Sequence, residues 1–464
     1  MTDLEPGKYN VSALVRVRVK NGTEDAPTGI TLQANDGEAV PVTTGAQIGE
    51  SQFYLDTFTA QGVVGEDGIL KIQFNIAAEN NISWLSFKNV NYAIEGIGEP
   101  LYVFVNYGQD IAAEVAAAME TNPYPSKIKI GLDGGSDYQW NSPIQLNCPL
   151  EFMLAIPTGG HEVGYANIDA SALTGPMIQI SDNIHSDLLA DNGFYQLGDI
   201  KIEGVRVKGL TQQLIYGNKV KAQYGTLALE QSIIEIAGGN KTVFDFNGGG
   251  VVEKLSIHYS TIYGNPQHTG QLYSSQSGQK ATEAGLEKQT ISITNSTLYN
   301  IAYSKNVNTH RQANQTWLAY ELKNSIIIDC GKQGQFVKGL NGGQQGANPT
   351  WMIDGNSFQW TVDGVLTDIS ASEETADDAE PVANNVEGVV VFANDITTGD
   401  FTLGECPQKT AKIGDPRWLY GPTVGIDNVN VNTENDVWFN LQGVRVTTPT
   451  KGLFIKNGKK VVVK

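Results

Sequence analysis

A pattern of apolar residues repeats six times between residues 200 and 360, and it restricts the folds open to this chain. Each copy reads apolar-x-apolar-x-x-anchor-x-apolar, and the anchor is Ser or Asn in all copies but the first. Successive anchors are 27, 28, 36, 29 and 31 residues apart. The period of two before each anchor is typical of a short strand with one buried face. The anchors are Val205, Ser232, Ser260, Ser296, Ser325 and Asn356.

A unit of this length is too small to bury its apolar face alone, so it must stack on its neighbours. The anchor predicts a bend between two strands, and stacking in register would turn the serines into a ladder of hydroxyls. Three other repeat folds fit less well. The LxxLxL pattern of leucine-rich repeats is absent, and a propeller blade needs roughly 40 residues. Helical repeats need an apolar period of 3.6, whereas the period here is two. The repeat therefore predicts a parallel β-helix, with the polar stretch from Gly264 to Lys288 inserted as a loop.

The segment before the repeat indicates earlier coils and a cap. The pairs Ile128/Ile130, Phe152/Leu154 and Ile178/Ile180 predict strands at a similar rhythm. A helix is predicted over residues 110–120, with Asp110 as its N-cap and Asn122-Pro123 as its stop. The open end of a stacked sheet exposes unpaired backbone groups. We expect this helix to cover that end.

Composition excludes several classes of partner. The chain has 50 acidic and 31 basic residues and a net charge of −19, which argues against nucleic acid and against an anionic membrane surface. The sequence contains no run of about 18 apolar residues, so no membrane-spanning helix is expected. The three cysteines form no CxxC motif, so zinc and dithiol sites are not expected, and we predict three buried thiols.

The two ends of the chain have a different sequence pattern from the repeat in the middle. Residues 1–97 contain several short alternating strands with Gly and Asn turns, which predict an antiparallel β-sandwich with Trp84 in its core. Residues 98–420 are assigned to the β-helix and residues 421–436 to a linker. Residues 437–464 contain two apolar runs around Asn457-Gly458, which predict a hairpin.

With its leading strand, Ala-rich helix and coils with Ser or Asn at the bend, the chain resembles the pectate-lyase-like right-handed β-helix superfamily. More narrowly, it resembles secreted β-helix proteins of Bacteroidetes that have no assigned activity, and its segments Gly399–Leu403 and Gly414–Trp418 look like the end of the helical domain in those proteins. Leu4–Val11 and Ala78–Phe87 resemble galactose-binding-like jelly-roll modules. The resemblance implies that strands and a signal peptide precede Met1, and that the C-terminal hairpin acts in surface sorting or attachment; a terminal hairpin packed on the core is the alternative. The expected fold is all-β: a right-handed parallel β-helix, a truncated N-terminal sandwich and a short C-terminal hairpin.

Candidate site residues come from loops that leave successive coils after the second strand, because such loops stack into one surface. A lyase needs a base to remove a proton next to a uronate carboxylate. The catalytic candidates are Lys305, His310, Arg311 and Lys332. The substrate-binding candidates are Tyr263, Asn265, His268, Tyr303, Asn308 and Asp329.

No metal or cofactor is assigned. Ca²⁺ is the one cation considered as a ligand. Asp133-Gly-Gly-Ser-Asp137 resembles a calcium loop, although a plain turn explains that composition as well. Asp245 and Glu253 are carboxylates in adjacent segments, but nothing in the sequence shows that they face each other, as glycoside hydrolysis would require.

Two functions remain open. The favoured one is a monomeric, secreted or cell-surface protein that binds a polysaccharide without catalysis, for adhesion or glycan capture. The alternative is a polysaccharide lyase or glycoside hydrolase that acts on an acidic or plant-type glycan. The sequence leaves open whether the protein is an enzyme.

Overall fold

The computed structural model divides into two units, Met1–Gly421 and Pro422–Lys464, which are described separately. In the first unit the structure describes residues 1–2, 4, 6–21, 26–43, 53–155, 164–217, 219–275, 278–286, 288–305, 307–310, 317–331, 336, 350–371 and 382–419. In the second unit it describes the backbone of residues 438–439, 445–446, 452–456 and 459–463.

The N-terminal module consists of two antiparallel three-stranded sheets around one apolar core. Val11, Val15 and Val17 alternate along the strand Gly7–Val19 and are fully buried, as expected for a strand with one face on the core. The sheet orders are β4-β1-β6 and β3-β2-β5. The strands are β1 (Gly7–Val19), β2 (Ile30–Ala34), β3 (Val40–Pro41), β4 (Phe53–Val64), β5 (Ile72–Ile76) and β6 (Ile82–Glu95).

Trp84 does not lie in the core of this module, so that prediction is wrong. It pairs with Arg18, whose neighbours Val17 and Val19 point inward, and it therefore lies on the outer face with 44% of its surface exposed. There it meets Phe53 edge to face at 6.0 Å. Arg16 stacks on the Phe53 ring at 4.3 Å.

Strand β7 (Leu101–Phe104) and helix α1 (Ile111–Met119) precede the coils. The Asp110 carboxylate accepts hydrogen bonds from the backbone N–H groups of Ala112 and Ala113, which are otherwise unpaired at a helix start. Ile111 and Val115 are buried in the same apolar cluster as the first coils. The helix thus covers apolar residues at the beginning of the stack.

The following strands form three sheets whose successive members are parallel, which confirms the parallel β-helix. A coil contributes one strand to each sheet in turn, and strand β30 is an antiparallel hairpin partner of β29. The first sheet contains β7, β8, β11, β14, β17, β20, β23, β26, β28 and β31, the second β9, β12, β15, β18, β21, β24, β27, β29 and β30, and the third β10, β13, β16, β19, β22 and β25. Their bounds are β8 (Ile128–Asp133), β9 (Asp137–Gln139), β10 (Ile144–Leu146), β11 (Leu150–Ala155), β12 (Ala166–Asp169), β13 (Ile178–Ile180), β14 (Tyr195–Glu203), β15 (Val205–Leu210), β16 (Ile215–Tyr216), β17 (Ala222–Glu230), β18 (Ile233–Ile236), β19 (Phe244–Asp245), β20 (Val251–His258), β21 (Thr261–His268), β22 (Tyr273–Ser275), β23 (Lys288–Thr294), β24 (Thr297–Ile301), β25 (Asn308–His310), β26 (Trp317–Lys323), β27 (Ile326–Ile328), β28 (Thr350–Asp354), β29 (Ser357–Val362), β30 (Val365–Asp368) and β31 (Val382–Ala383).

The register of the repeat is the predicted one. Before the anchor, Ile200 pairs with Leu227, and the same column continues through Leu255, Ile291, Tyr320 and Trp351. After the anchor, the column runs through Val207, Ile234, Ile262, Leu298, Ile327 and Phe358. The apolar period and the polar anchor therefore fix two of the three sheets.

The strands predicted before the repeat, at residues 128–130, 152–154 and 178–180, are only partly correct. Ile128 and Ile130 pair with Leu150 and Phe152, so the second pair lies two residues earlier than expected. Ile178–Ile180 lies in the third sheet rather than the first, because a short buried apolar pair looks alike in any sheet. The stretch from Gly264 to Lys288 is likewise more than a loop, since it contains β22 and the short helix α2 (Gly278–Glu283).

The serine anchors form the expected ladder. Oγ of Ser260 accepts a hydrogen bond from N–H of Ser232, and Oγ of Ser296 accepts one from N–H of Ser260. Ser325 and Asn356 extend the series by the same bond, and all five polar anchors are fully buried. The residue before each anchor has a left-handed backbone, which makes the bend. At Gly204 a Cβ atom would also lie 2.2 Å from Cδ1 of Leu154.

After the last coil, the chain turns back across the outer face of the second sheet. This return segment, residues 386–419, begins beside the last coil with a bond from Val386 N–H to the carbonyl of Asn356. It contains helix α3 (Pro407–Ala411). The return segment buries residues that point outward from the coils, and these residues form two apolar clusters with it. The buried coil residues are Ile233, Tyr263, Ile326 and Ile328.

Asp415, Arg417 and Trp418 hold the end of the return segment on the second sheet. The Asp415 carboxylate accepts a hydrogen bond from Oγ1 of Thr261, and Nε of Arg417 donates to both carboxylate oxygens at 2.8 and 3.0 Å. Nη2 of Arg417 also donates to the carbonyls of Ser232 and Tyr259. The Gly414–Trp418 motif, which the sequence marked as the end of the helix, therefore fastens that end to earlier coils.

The second unit is a four-stranded antiparallel sheet in the order β33-β32-β34-β35, which is larger than the predicted hairpin. Its strands are β32 (Trp438–Phe439), β33 (Arg445–Val446), β34 (Gly452–Lys456) and β35 (Lys459–Val463). Strands β34 and β35 pair on either side of Asn457-Gly458, and these two residues lie outside the described ones.

Two expectations from composition can be compared with the described residues. All three cysteines are free and buried, as predicted. In the parts of the chain that the structure describes, no helix is long and apolar enough to span a membrane.

Candidate functional site

The third sheet carries a row of polar side chains along the stack. Gln145, Gln179, Tyr216 and Asp245 occupy equivalent positions in four successive coils. Their chain neighbours, among them Ile144 and Phe244, are buried, so these four side chains point outward. Adjacent parallel strands are about 4.8 Å apart, and the third-sheet row (Gln145, Gln179, Tyr216 and Asp245) is therefore a regular track of hydrogen-bonding groups.

The third-sheet row ends at Asp245, whose carboxylate is held by its neighbours. Oδ1 accepts a hydrogen bond from the backbone N–H of Asn247, and Oδ2 accepts one from Nε2 of Gln213. In the next coil Ser274 is buried and donates to the Asn247 side chain at 2.8 Å. Asp245 is thus a fixed acceptor at the end of the row.

Sequence reasoning missed this row because the third-sheet strands are only two or three residues long. A signal existed in the short apolar-x-apolar pairs that flank each outward residue, such as Ile144 and Leu146 or Phe244 and Phe246. Three such residues are too few to separate a strand from a chance alternation. Only the stacking of several coils makes the pattern visible.

Among the predicted substrate-binding residues, Tyr263 lies under the return segment. Its ring meets Phe401 edge to face at 5.3 Å, and the residue is buried in the same cluster as Trp418. Burial raises the pKa of the Tyr263 hydroxyl to about 12. The return segment was not predicted to cover this face, and a ligand contact at Tyr263 does not fit its position.

Asn308 and Asp329 are also buried. Asn308 belongs to β25 rather than to a loop, and its Nδ2 donates to the hydroxyl of Tyr320 inside the coil. The Asp329 carboxylate accepts hydrogen bonds from the backbone N–H and the hydroxyl of Thr361. Both side chains are buried, and Nδ2 of Asn308 and the Asp329 carboxylate take part in internal hydrogen bonds, so neither position fits the predicted role in substrate binding.

His268 is buried between two backbone carbonyls. Its Nδ1 lies 3.2 Å from the carbonyl oxygen of Gly238, and its Nε2 lies 2.7 Å from that of Lys241. Burial lowers the pKa of His268 and outweighs the two carbonyls, which act in the opposite direction. This buried position between two coils does not fit the predicted contact with a substrate.

This environment gives His268 a measurable effect on stability. The folded state favours the neutral ring, so its contribution is complete above the unfolded pKa of about 6.5 and decreases as the pH falls below it. We expect the free energy of unfolding, measured by urea titration at a series of pH values, to fall more steeply on acidification in the wild type than in His268→Asn. Parallel pH profiles would contradict this assignment.

Asn265, Tyr303 and Lys305 remain at or near the surface. The Tyr303 ring stacks on Trp360 with centroids 4.8 Å apart. Nδ2 of Asn265 donates to the carbonyl of Thr397 in the return segment. Tyr303 and His268 are stacked neighbours, because N–H of Tyr303 donates to the carbonyl of His268. The structure thus brings these two loops together, but most of the predicted substrate-binding residues are buried.

The remaining catalytic candidates stay predictions. His310 lies in β25, but its side chain is outside the described residues, and Arg311 and Lys332 lie outside them entirely. Lys305 is exposed. Where the structure describes side chains, no three His, Cys, Asp or Glu residues are grouped to hold a metal ion, and Asp133–Asp137 forms a turn between β8 and β9.

The N-terminal module has a groove of its own, with a volume of about 740 Å³. Carboxylates and amides line it, including Asp36, Asp67, Gln61 and Gln73. Asn35 braces its floor, because its Nδ2 donates to the carbonyls of Val63 and Ile69. The groove is polar and concave, as a hydroxyl-rich ligand would require.

Comparisons with known proteins add a single finding. No family model matches the chain, and no curated protein matches it. Among solved structures it is similar to the catalytic domain of a GH87 alpha-1,3-glucanase in complex with tetrasaccharides. The sequence identity is 14%, the match covers 79% of this chain and 78% of that chain, and the TM-score is 0.19.

Proposed function

We propose that this protein binds a polysaccharide along the third-sheet row, as a secreted or cell-surface protein for adhesion or glycan capture. The observation that carries the proposal is the regular spacing of Gln145, Gln179, Tyr216 and Asp245 on successive coils. A linear polymer presents hydroxyl groups at regular intervals. A stack of identical strands offers partners at regular intervals too.

The chemistry of the row suits a sugar chain. Glutamine amides donate and accept hydrogen bonds, as hydroxyl groups do. The tyrosine ring offers an apolar face with a polar tip. The resemblance to secreted Bacteroidetes β-helix proteins supports a location outside the cell. The concave groove of the N-terminal module supports a second contact with glycan.

The test is a binding measurement on a panel of polysaccharides. We expect Tyr216→Ala to weaken binding about tenfold, which corresponds to about 1.4 kcal/mol, because it removes the aromatic residue in the row. Tyr102→Ala is the control, since Tyr102 is 53% exposed on the first sheet. Affinity electrophoresis would measure both. Equal losses in the two variants, or no glycan bound by the wild type, would contradict the proposal.

Catalysis is the competing proposal. A lyase would release unsaturated uronate, and a hydrolase would release new reducing ends. Incubating the same panel with the protein and assaying both products separates binding from cleavage. Product formation that Asp245→Asn abolishes would favour the enzyme.

A further inference from the structure

A cleft of about 300 Å³ lies between helix α1 and the first two coils. Its helix side is apolar apart from Glu120 at the helix end and includes Ala116 and Met119, and Pro143 adds to it from the first coil. Gln145, the first member of the third-sheet row, lines the opposite side. The cleft is therefore continuous with the row and has one apolar and one polar side, at the lower end of the volume of ligand pockets.

Asn147 leaves an unused acceptor at this cleft. The residue lines the cleft but is only 4% exposed. Its Nδ2 donates to the carbonyls of Pro123 and Asn183, at 2.8 and 3.2 Å. Because both partners are acceptors, the amide nitrogen must face them. Oδ1 is then left without a partner, and a buried unpaired acceptor needs an explanation.

Asn183 supplies the complementary donor. Its Oδ1 accepts a hydrogen bond from the hydroxyl of Tyr124 at 2.7 Å, which holds the side chain in place. Its amide group lies at the exposed mouth of the cleft. The polar side of the cleft therefore presents the amides of Asn183 and Gln145, and the buried Oδ1 of Asn147 is left unpaired beside them.

We propose that this cleft binds one sugar residue of an uncharged glycan, the residue next to those on the third-sheet row. The inference rests on the proposed glycan binding. A sugar ring has an apolar face for Ala116 and Met119 and hydroxyls that can bond to the amides of Asn183 and Gln145. The Glu120 carboxylate also lines the cleft and opposes a uronate there. The expected ligand is therefore neutral, in contrast to the acidic substrate of a lyase.

The test fills the cleft and leaves the row intact. Ala116 is exposed on helix α1 and lines the cleft, whereas Ala117 is exposed on the same helix and does not line it. We expect Ala116→Trp to weaken binding of neutral gluco- and galacto-oligosaccharides at least tenfold in calorimetry on the full chain. Ala117→Trp should bind as the wild type does. Thermal unfolding of both variants checks that they fold.

The outcomes separate the two proposals. If Tyr216→Ala weakens binding and Ala116→Trp does not, the cleft assignment is wrong and the row still binds glycan. Oligogalacturonates that bind as tightly as neutral oligosaccharides would also overturn it. If the wild type binds no oligosaccharide, both proposals fail. A shift of the Asn147 side-chain amide resonance on adding a neutral oligosaccharide is the direct signature expected.

Discussion

Replacing Arg417 by alanine is expected to lower the free energy of unfolding by about 3–5 kcal/mol, because it leaves a buried carboxylate without its partner. Asp415 is fully buried, and Arg417 is its cation. Burial raises the pKa of Asp415, whereas Arg417 beside it acts in the opposite direction. We assign the pair as ionised because Arg417 donates to both carboxylate oxygens and Thr261 adds a third donor.

The matched control is Lys409→Ala in the same return segment. Lys409 contacts Glu405 at 2.8 Å, but the Glu405 side chain is 92% exposed, and such surface pairs contribute about 0–1 kcal/mol. Urea unfolding of both variants gives the comparison. An equal loss would show that the Asp415–Arg417 pair does not hold the segment. The double variant Asp415→Asn/Arg417→Met should recover part of the loss, because it leaves no buried charge.

Replacing Ser296 by alanine is expected to lower the free energy of unfolding by about 1–3 kcal/mol. The substitution removes the acceptor for the backbone N–H of Ser260 and the hydroxyl that donates to the carbonyl of Thr294. The N–H of Ser260 is buried, so water does not replace the bond that it loses. Chemical denaturation with a common slope for all variants measures the change.

Two companion variants sharpen this test. Ser256 is half-buried on the outer face of the first sheet, and Ser256→Ala should change stability by less than about 0.5 kcal/mol. Ser296→Asn should retain more stability than Ser296→Ala, because Asn356 already fills the equivalent position with its carboxamide. A loss at Ser296 no larger than that at Ser256 would mean that the ladder contributes little.

The sequence predicted the parts of the fold that depend on local pattern. The columns through Ile200 and Val207 and the serine ladder follow from a period of two and a polar residue at each bend. Third-sheet strands such as Phe244–Asp245 were not predicted, because two or three residues are too few to show a period. Trp84 was misplaced because a large aromatic residue is usually buried, whereas its strand register turns it outward.

The candidate site was harder to predict because it depends on contacts distant in sequence. Thr261 and Asp415 are 154 residues apart, and no local pattern shows that they meet. This contact places the return segment over Tyr263, which converts a predicted ligand residue into core. The third-sheet row and the cleft beside helix α1 likewise exist only after the coils are stacked.

The return segment also bears on how the coils unfold. A stack in which each unit contacts only its neighbours can fray from one end, unit by unit. Arg417 instead joins the end of the helix to the carbonyl of Ser232, 185 residues earlier. The coils between them are enclosed by one long-range closure and should unfold cooperatively. Long-range closure of this kind also slows folding, so the protein should gain resistance to fraying in exchange for slower assembly.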